Sequence, residues 1–265
     1  DETITLRMTK ESVRGDHFEV LVQNSSGEYD TWTPGEVRTY VGTVDECPGA
    51  YVAGIYKNNN VLKARVHFDR GATWYTDGSS VTETRGTDAA SFAIPNKPSV
   101  TPGKSGTDTY RFDVGFDCDY RCYDRMNSVA ACLEMVEFST VSAKVQFLHN
   151  ALLMPALGRV IIRADQLHCP YYDHSGMDIL YKFRTEWNMY HRDADRDVAA
   201  CVTPNIGGGG AWVRTMGGPE AYAVNGIASD SSFDVVWRHE LGHNWGVYDY
   251  HAGSPEGATI NCGNK

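Results

Sequence analysis

The sequence predicts an α+β fold, in which a β-rich N-terminal region precedes a region of alternating strands and long helices. Three observations carry this expectation. Residues 1 to about 81 break into short β-branched or alternating segments separated by turn residues, with no helical period of useful length. Residues 82–109 hold three prolines and three glycines around one short apolar patch, which is a linker composition. From Tyr110 onward, strand-like runs alternate with apolar residues spaced three or four apart. The expected organisation is therefore a β domain over 1–81, a linker over 82–109, and a mixed domain over 110–265.

In the first region the strand candidates are Ile4 to Met8, Phe18 to Val22, Val37 to Val41, Ala50 to Ile55 and Val61 to Phe68. Turn signals at Asn24-Ser25-Ser26-Gly27, Pro34-Gly35, Pro48-Gly49 and Asn58-Asn59-Asn60 punctuate them, and together they suggest a sandwich or barrel. In the mixed region Tyr110 to Phe116 reads as a strand. Met126 to Leu153 carries helical spacing, with a break expected near Ser139-Thr140 and a stop before Pro155. Arg159 to Ala164 is a strand. Ser175-Gly176-Met177-Asp178 resembles a capping box opening a helix with Met177, Leu180, Phe183, Trp187 and Tyr190 on one face. Asp197 to Val202, Ala211 to Thr215 and Ala221 to Val224 read as strands, and Phe233 to Trp245 as the final helix.

Composition bounds the function. The 265 residues carry a net charge of −10, which argues against nucleic acid or an anionic membrane surface as main partner. With 42% hydrophobic residues the chain can build a packed core. No run of about 18 apolar residues predicts a membrane span. The seven cysteines form no CxxC pair and no His interleaves them at zinc-finger spacing, so a structural zinc site is not expected. Disulfides in a secreted protein are the expectation, with buried thiols in a cytosolic enzyme as the alternative. The start at Asp1-Glu2-Thr3 has the look of a mature or trimmed end.

The final helix carries the chemistry. His239 and His243 are four residues apart, so both imidazoles share one helix face and can bind one metal ion. Glu240, beside the first ligand, can reach a water on that metal and take its proton. Gly246 can leave the helix through a left-handed backbone, and Asp249 can return as a third ligand. Three protein ligands and an open position mark a catalytic zinc site, since a structural one uses four.

His239-Glu240-Leu241-Gly242-His243-Asn244-Trp245-Gly246-Val247-Tyr248-Asp249 resembles the extended metzincin motif, with Asp where a third His is more usual, as in snapalysin-like members. The wording is most similar to adamalysin/reprolysin-like enzymes. The element order from Tyr110 to His251 is also similar to the N-terminal subdomain of that family. The resemblance implies a twisted mixed sheet with long helices, Zn2+ held by His239, His243 and Asp249, and Glu240 as general base. It implies a peptide-binding edge strand upstream of the helix, best matched by Gly210-Ala211-Trp212-Val213, so that Gly210, Ala211 and Trp212 become substrate-binding candidates. It further suggests that the β-rich leader is a propeptide or inhibitory domain.

Two departures stand out. No Met follows Met216, and Thr259-Ile260-Asn261 places Asn261 where the family's Met-turn would have methionine. Lys265 lies 16 residues past Asp249, so the C-terminal subdomain is expected to be short or truncated. Weaker signals have bland readings. His251 is a second candidate for third ligand, or a loop histidine. Gly207 to Gly210 reads as a flexible or close-approach loop. Cys47 could cap the metal in a latent form, but a disulfide or buried thiol suits its context better. Asp88 could do the same, or simply be solvated. Asp117 and Asp119 read as structural, and Trp237 and Trp245 as core. The expected function is a secreted zinc endopeptidase on protein or peptide substrates, acting as a monomer, with a latent proform among its expected states. The alternative is an inactive zinc-containing binding or adhesion module.

Overall fold

The computed structural model describes residues 3–57, 60–68, 73–84, 108–228 and 230–247. The observed class is α+β. Eight strands come first: β1 (Leu6–Lys10), β2 (Arg14–Gln23), β3 (Tyr29–Thr31), β4 (Thr39–Val44), β5 (Tyr51–Tyr56), β6 (Leu62–His67), β7 (Thr73–Thr76) and β8 (Val81–Thr84). Then follow β9 (Tyr110–Cys118), α1 (Tyr120–Met126), α2 (Val129–Ala151), β10 (Leu153–Arg163), α3 (Met177–Tyr190), β11 (Val198–Thr203), β12 (Gly209–Ala211), β13 (Tyr222–Gly226) and α4 (Asp230–Asn244).

The strands form two sheets. One is antiparallel throughout, in the order β1-β4-β5-β6-β7-β8. The other runs β12-β13-β11-β9-β10-β2-β3, with a parallel interior and an antiparallel strand at each edge. The expected sandwich or barrel over residues 1–81 is thus corrected. β2 and β3 leave the N-terminal stretch for the second sheet, where β2 lies parallel to β10 with Val20 opposite Val160. The reason is burial: Val13 and Val20 join Phe112, Val114, Leu157 and Ile162 in the main core.

Along the interior strands alternate residues feed opposite faces, as the pleat requires. Val160, Ile162, Ala200 and Val202 face the main core, whereas Ile161, Ala199 and Cys201 face a second core under α3. Gly115 is required here, because a Cβ would sit 2.5 Å from the Trp187 ring. On the other face α2 packs between β10 and the β4–β5 strands, and also against α4.

The predicted break in α2 does not occur. Ser139 Oγ donates to the Met135 carbonyl and Thr140 Oγ1 to that of Val136, both at 2.8 Å. The hydroxyls are thereby absorbed into the helix rather than competing with it. α3 starts where expected, but without the capping box. Gly176 is its N-cap at φ 56° and no side chain caps it. Tyr190 is 64% exposed, so the buried face is Ile179, Leu180, Phe183 and Trp187. Among the described cysteines none is in a disulfide, which corrects that expectation for Cys47, Cys118, Cys122, Cys132, Cys169 and Cys201. Asp119 caps α1 by accepting from the Cys122 amide, and Asp117 pairs with buried Arg163, both structural roles as expected. No helix among the described residues is long and apolar enough to cross a membrane. Residues 85–107, with most of the expected linker and Asp88, lie outside the described residues.

Candidate metal centre

α4 is amphipathic in an unusual sense: both its faces are buried. Phe233, Trp237 and Leu241 pack into the main core, with Trp237 5.1 Å from the Phe116 ring. His239, Glu240 and His243 are equally inaccessible. Their ligand atoms lie within 4.8 Å of one another.

The imidazoles converge through Nε2, 3.2 Å apart, with ring planes at 89°. Two nitrogens about 2.0–2.1 Å from one tetrahedral zinc would be about 3.3–3.4 Å apart. His243 Nδ1 lies 2.7 Å from the Val247 carbonyl oxygen. A carbonyl can only accept, so Nδ1 carries the proton and Nε2 keeps its lone pair for a metal. Two imidazole nitrogens with a carboxylate beside them suit zinc or a similar divalent ion, so the residues fit the group.

The helix ends as the sequence predicts. Gly246 has φ 98°, its N–H donates to the His243 carbonyl, and the Val247 N–H donates to that of Gly242. This pair of bonds with a left-handed glycine is a Schellman motif, which turns the chain sharply after the second histidine. Tyr248 to His251 lie outside the described residues, and with them both third-ligand candidates, Asp249 and His251; so does Thr259-Ile260-Asn261.

Gly209 bears out the close-approach reading of the glycine loop. A Cβ there would lie 2.6 Å from both Cγ and Oε1 of Glu240, and one at Gly210 would lie 2.6 Å from Met177 Sδ. β12 therefore runs directly over the carboxylate and, among the described residues, is the sheet's edge strand, paired with β13. It begins two residues earlier than predicted and ends at Ala211, because the next residues turn to cap α4. The Arg214 and Thr215 N–H groups donate to the carbonyls of His243 and Asn244. Gly210 and Ala211 are thus strand residues. Trp212 follows the strand, half-buried, with Tyr181 edge-on at 5.7 Å and Arg184 at 5.2 Å from its ring.

Two contributors escaped the sequence reading. Asn244 Nδ2 lies within hydrogen-bond distance of the Trp212 and Tyr222 carbonyls and of Thr215 Oγ1, joining the helix end to β13 and to the segment that follows β12. Asp234 anchors the first turns of α4 to Arg65 on β6 and Ser142 on α2. An isolated Asn or Asp within a helical run carries no signal for either role. Cys47 packs with Val44 and Ala50 in the six-stranded sheet and is no part of the histidine cluster; Trp237 is core as expected, and Trp245 packs half-buried against that core.

No protein-family model and no curated protein matches the chain. Among solved structures, a chaperone–substrate complex aligns with 90% of this chain and 31% of its own, at 16% identity and a TM-score of 0.44. The chain thus spans about a third of that structure's length. Metalloproteinase-II from Bacteroides fragilis aligns with 92% of this chain and 79% of its own, at 11% identity and a TM-score of 0.42. At scores this low neither likeness bears on function, which is drawn below from the chain's own residues.

Proposed function

We propose that the chain is a zinc-dependent endopeptidase acting on protein or peptide substrates. The observation that carries this reading is the pair of Nε2 atoms 3.2 Å apart on one helix, with Glu240 beside them under the β12 edge. His239 and His243 would hold the zinc, with Asp249 as third ligand. When bound, zinc supplies Lewis acidity, which acidifies water and polarises the peptide carbonyl. Glu240 takes the proton of the attacking water and returns it to the leaving amine. The β12 edge, through Gly210 and Ala211, would pair with an extended substrate and set its direction across the helix, while Trp212 offers a wall beyond the strand. A cut within 82–109 would leave β2 in the second sheet, so activation by such a cut would not require release of the whole N-terminal region.

The test is zinc content and casein cleavage for the wild type and Glu240→Ala. About one zinc per chain at the histidine site is expected in both, with cleavage reduced roughly 10²–10⁴-fold in the variant. Absence of zinc from the wild type, or cleavage by the variant at the wild-type rate, defeats the proposal. Zinc without any hydrolysis by the wild type would instead favour an inert binding module.

A further inference from the structure

A second group of ligand-type side chains lies away from the histidines. Cys118 ends β9, Cys122 lies in α1 and Cys132 in the first turns of α2. Their sulfur atoms are all within 4.8 Å of one another and all three residues are 0% exposed. None is in a disulfide. Local structure brings them together. Asp119 turns the chain from β9 into α1, its carboxylate accepting the Cys122 N–H at 2.7 Å. Asn127 then adopts a left-handed backbone at φ 58°, and Ser128 caps α2 by accepting the Ala131 N–H. Three separate elements thus aim a sulfur at one point inside the main core.

Spacing alone conceals the site, since the sequence has no CxxC pair. Among the described residues no histidine or carboxylate joins the cluster. Three soft sulfur ligands, inaccessible to solvent and without a fourth donor among the described residues, are a poor match for zinc, which completes four ligands, and a good one for copper(I).

We propose that Cys118, Cys122 and Cys132 form a three-sulfur site for one copper(I) ion. Ligation releases the thiol protons to solvent, and no electron transfer is involved. Because the site is closed, the ion enters during folding. It would pin the end of β9, α1 and the start of α2 to one another. α1 in turn carries Arg125, which donates to the carbonyls of Ile227 and Ala228 just before α4.

The experiment is folding of the reduced full chain, without air, with copper(I) supplied as its acetonitrile complex. Metals are then counted in the wild type, in Cys132→Ser and in the double variant His239→Ala, His243→Ala. The expected result is about one copper per chain in the wild type and the histidine variant, and none in Cys132→Ser. Copper-edge X-ray absorption on the wild type, expected to show three sulfur neighbours, decides the matter even if Cys132→Ser fails to fold. Absence of copper, its loss with the histidines, a zinc ion in the triad, or a disulfide between two of the three cysteines overturns the assignment. None of these outcomes depends on peptidase activity.

Discussion

Replacing Asp234 with alanine tests whether the six-stranded sheet is locked to the metal-binding helix. Arg65 on β6 contacts the carboxylate through two atoms, Nε at 2.7 Å and Nη2 at 2.8 Å, and both side chains are fully buried. Ser142 Oγ adds a donor at 3.0 Å, and Arg238 Nη2 lies 3.5 Å away. Burial already lowers the Arg238 pKa to about 10, with Asp234 the chief opposing influence. Alanine would therefore leave two buried guanidinium groups without their shared counter-charge. Removing one partner of a buried pair costs about 3–5 kcal/mol. Domains have about 5–15 kcal/mol in total, so Asp234→Ala is expected to consume a large share of the stability. Urea unfolding followed by tryptophan fluorescence measures the loss, with Trp237 one turn along the same helix as a reporter. Arg65→Met combined with Asp234→Leu should recover part of it, because one stranded charge is then gone. A loss below about 1 kcal/mol in Asp234→Ala would refute the reasoning, since it would mean that water reaches the pair and the sheet is not sealed against α4.

Gly209→Ala places a methyl 2.6 Å from Glu240 and is expected to displace the carboxylate, lowering cleavage about 10²-fold with zinc content unchanged. Steady-state rates beside metal analysis check this, and a rate within about twofold of wild type counts against the close approach. His191 concerns pH. Burial lowers its pKa from 6.5 to about 4, in a pocket shared with Arg163, Asp117, Glu186 and Tyr29. Between those values the unfolded chain binds a proton that the folded chain refuses, so stability is full above pH 6.5 and falls as pH drops toward 4. At 1.36 kcal/mol per unit the contribution is roughly 3 kcal/mol. Urea midpoints from pH 7 to 4 should therefore fall less steeply in His191→Gln than in the wild type; parallel curves would contradict the assignment.

How much was legible depended on how local each cause was. The histidine pair, Glu240 and the glycine exit all sit within one helix and its cap, so spacing alone places them. The short apolar run Val198 to Val202 likewise reads directly as a strand. α2 was misread at Ser139-Thr140 because those residues look like breakers in isolation. Their burial between two sheets, with hydroxyls turned onto the helix backbone, depends on partners distant in the chain. Ser175 was misread because a glycine took the N-cap position. The placement of β2 was invisible for a related reason: its partner strand lies some 140 residues away, as the Glu19–Arg159 contact shows, and parallel pairing leaves no turn signal. The cysteine triad was hidden because three different elements supply its sulfurs.

The long-range contacts also explain how a buried helix can hold a reactive geometry. α4 is fixed at three levels. Arg125 holds the carbonyls that precede it, Asp234 ties its first turns to both β6 and α2, and Asn244 fastens its end to Trp212 and Tyr222. The last of these matters most for chemistry. Trp212 directly follows the strand that would carry a substrate, and Tyr222 opens the strand paired with it. One asparagine therefore sets the position of that edge relative to the helix bearing His239, Glu240 and His243. Gly209 then sets the closest distance, because any side chain there would push base and strand apart. Orientation of a peptide and orientation of the base are thus not independent variables in this fold. A shift of either would move the other, and catalytic rates are sensitive to displacements of about 1 Å.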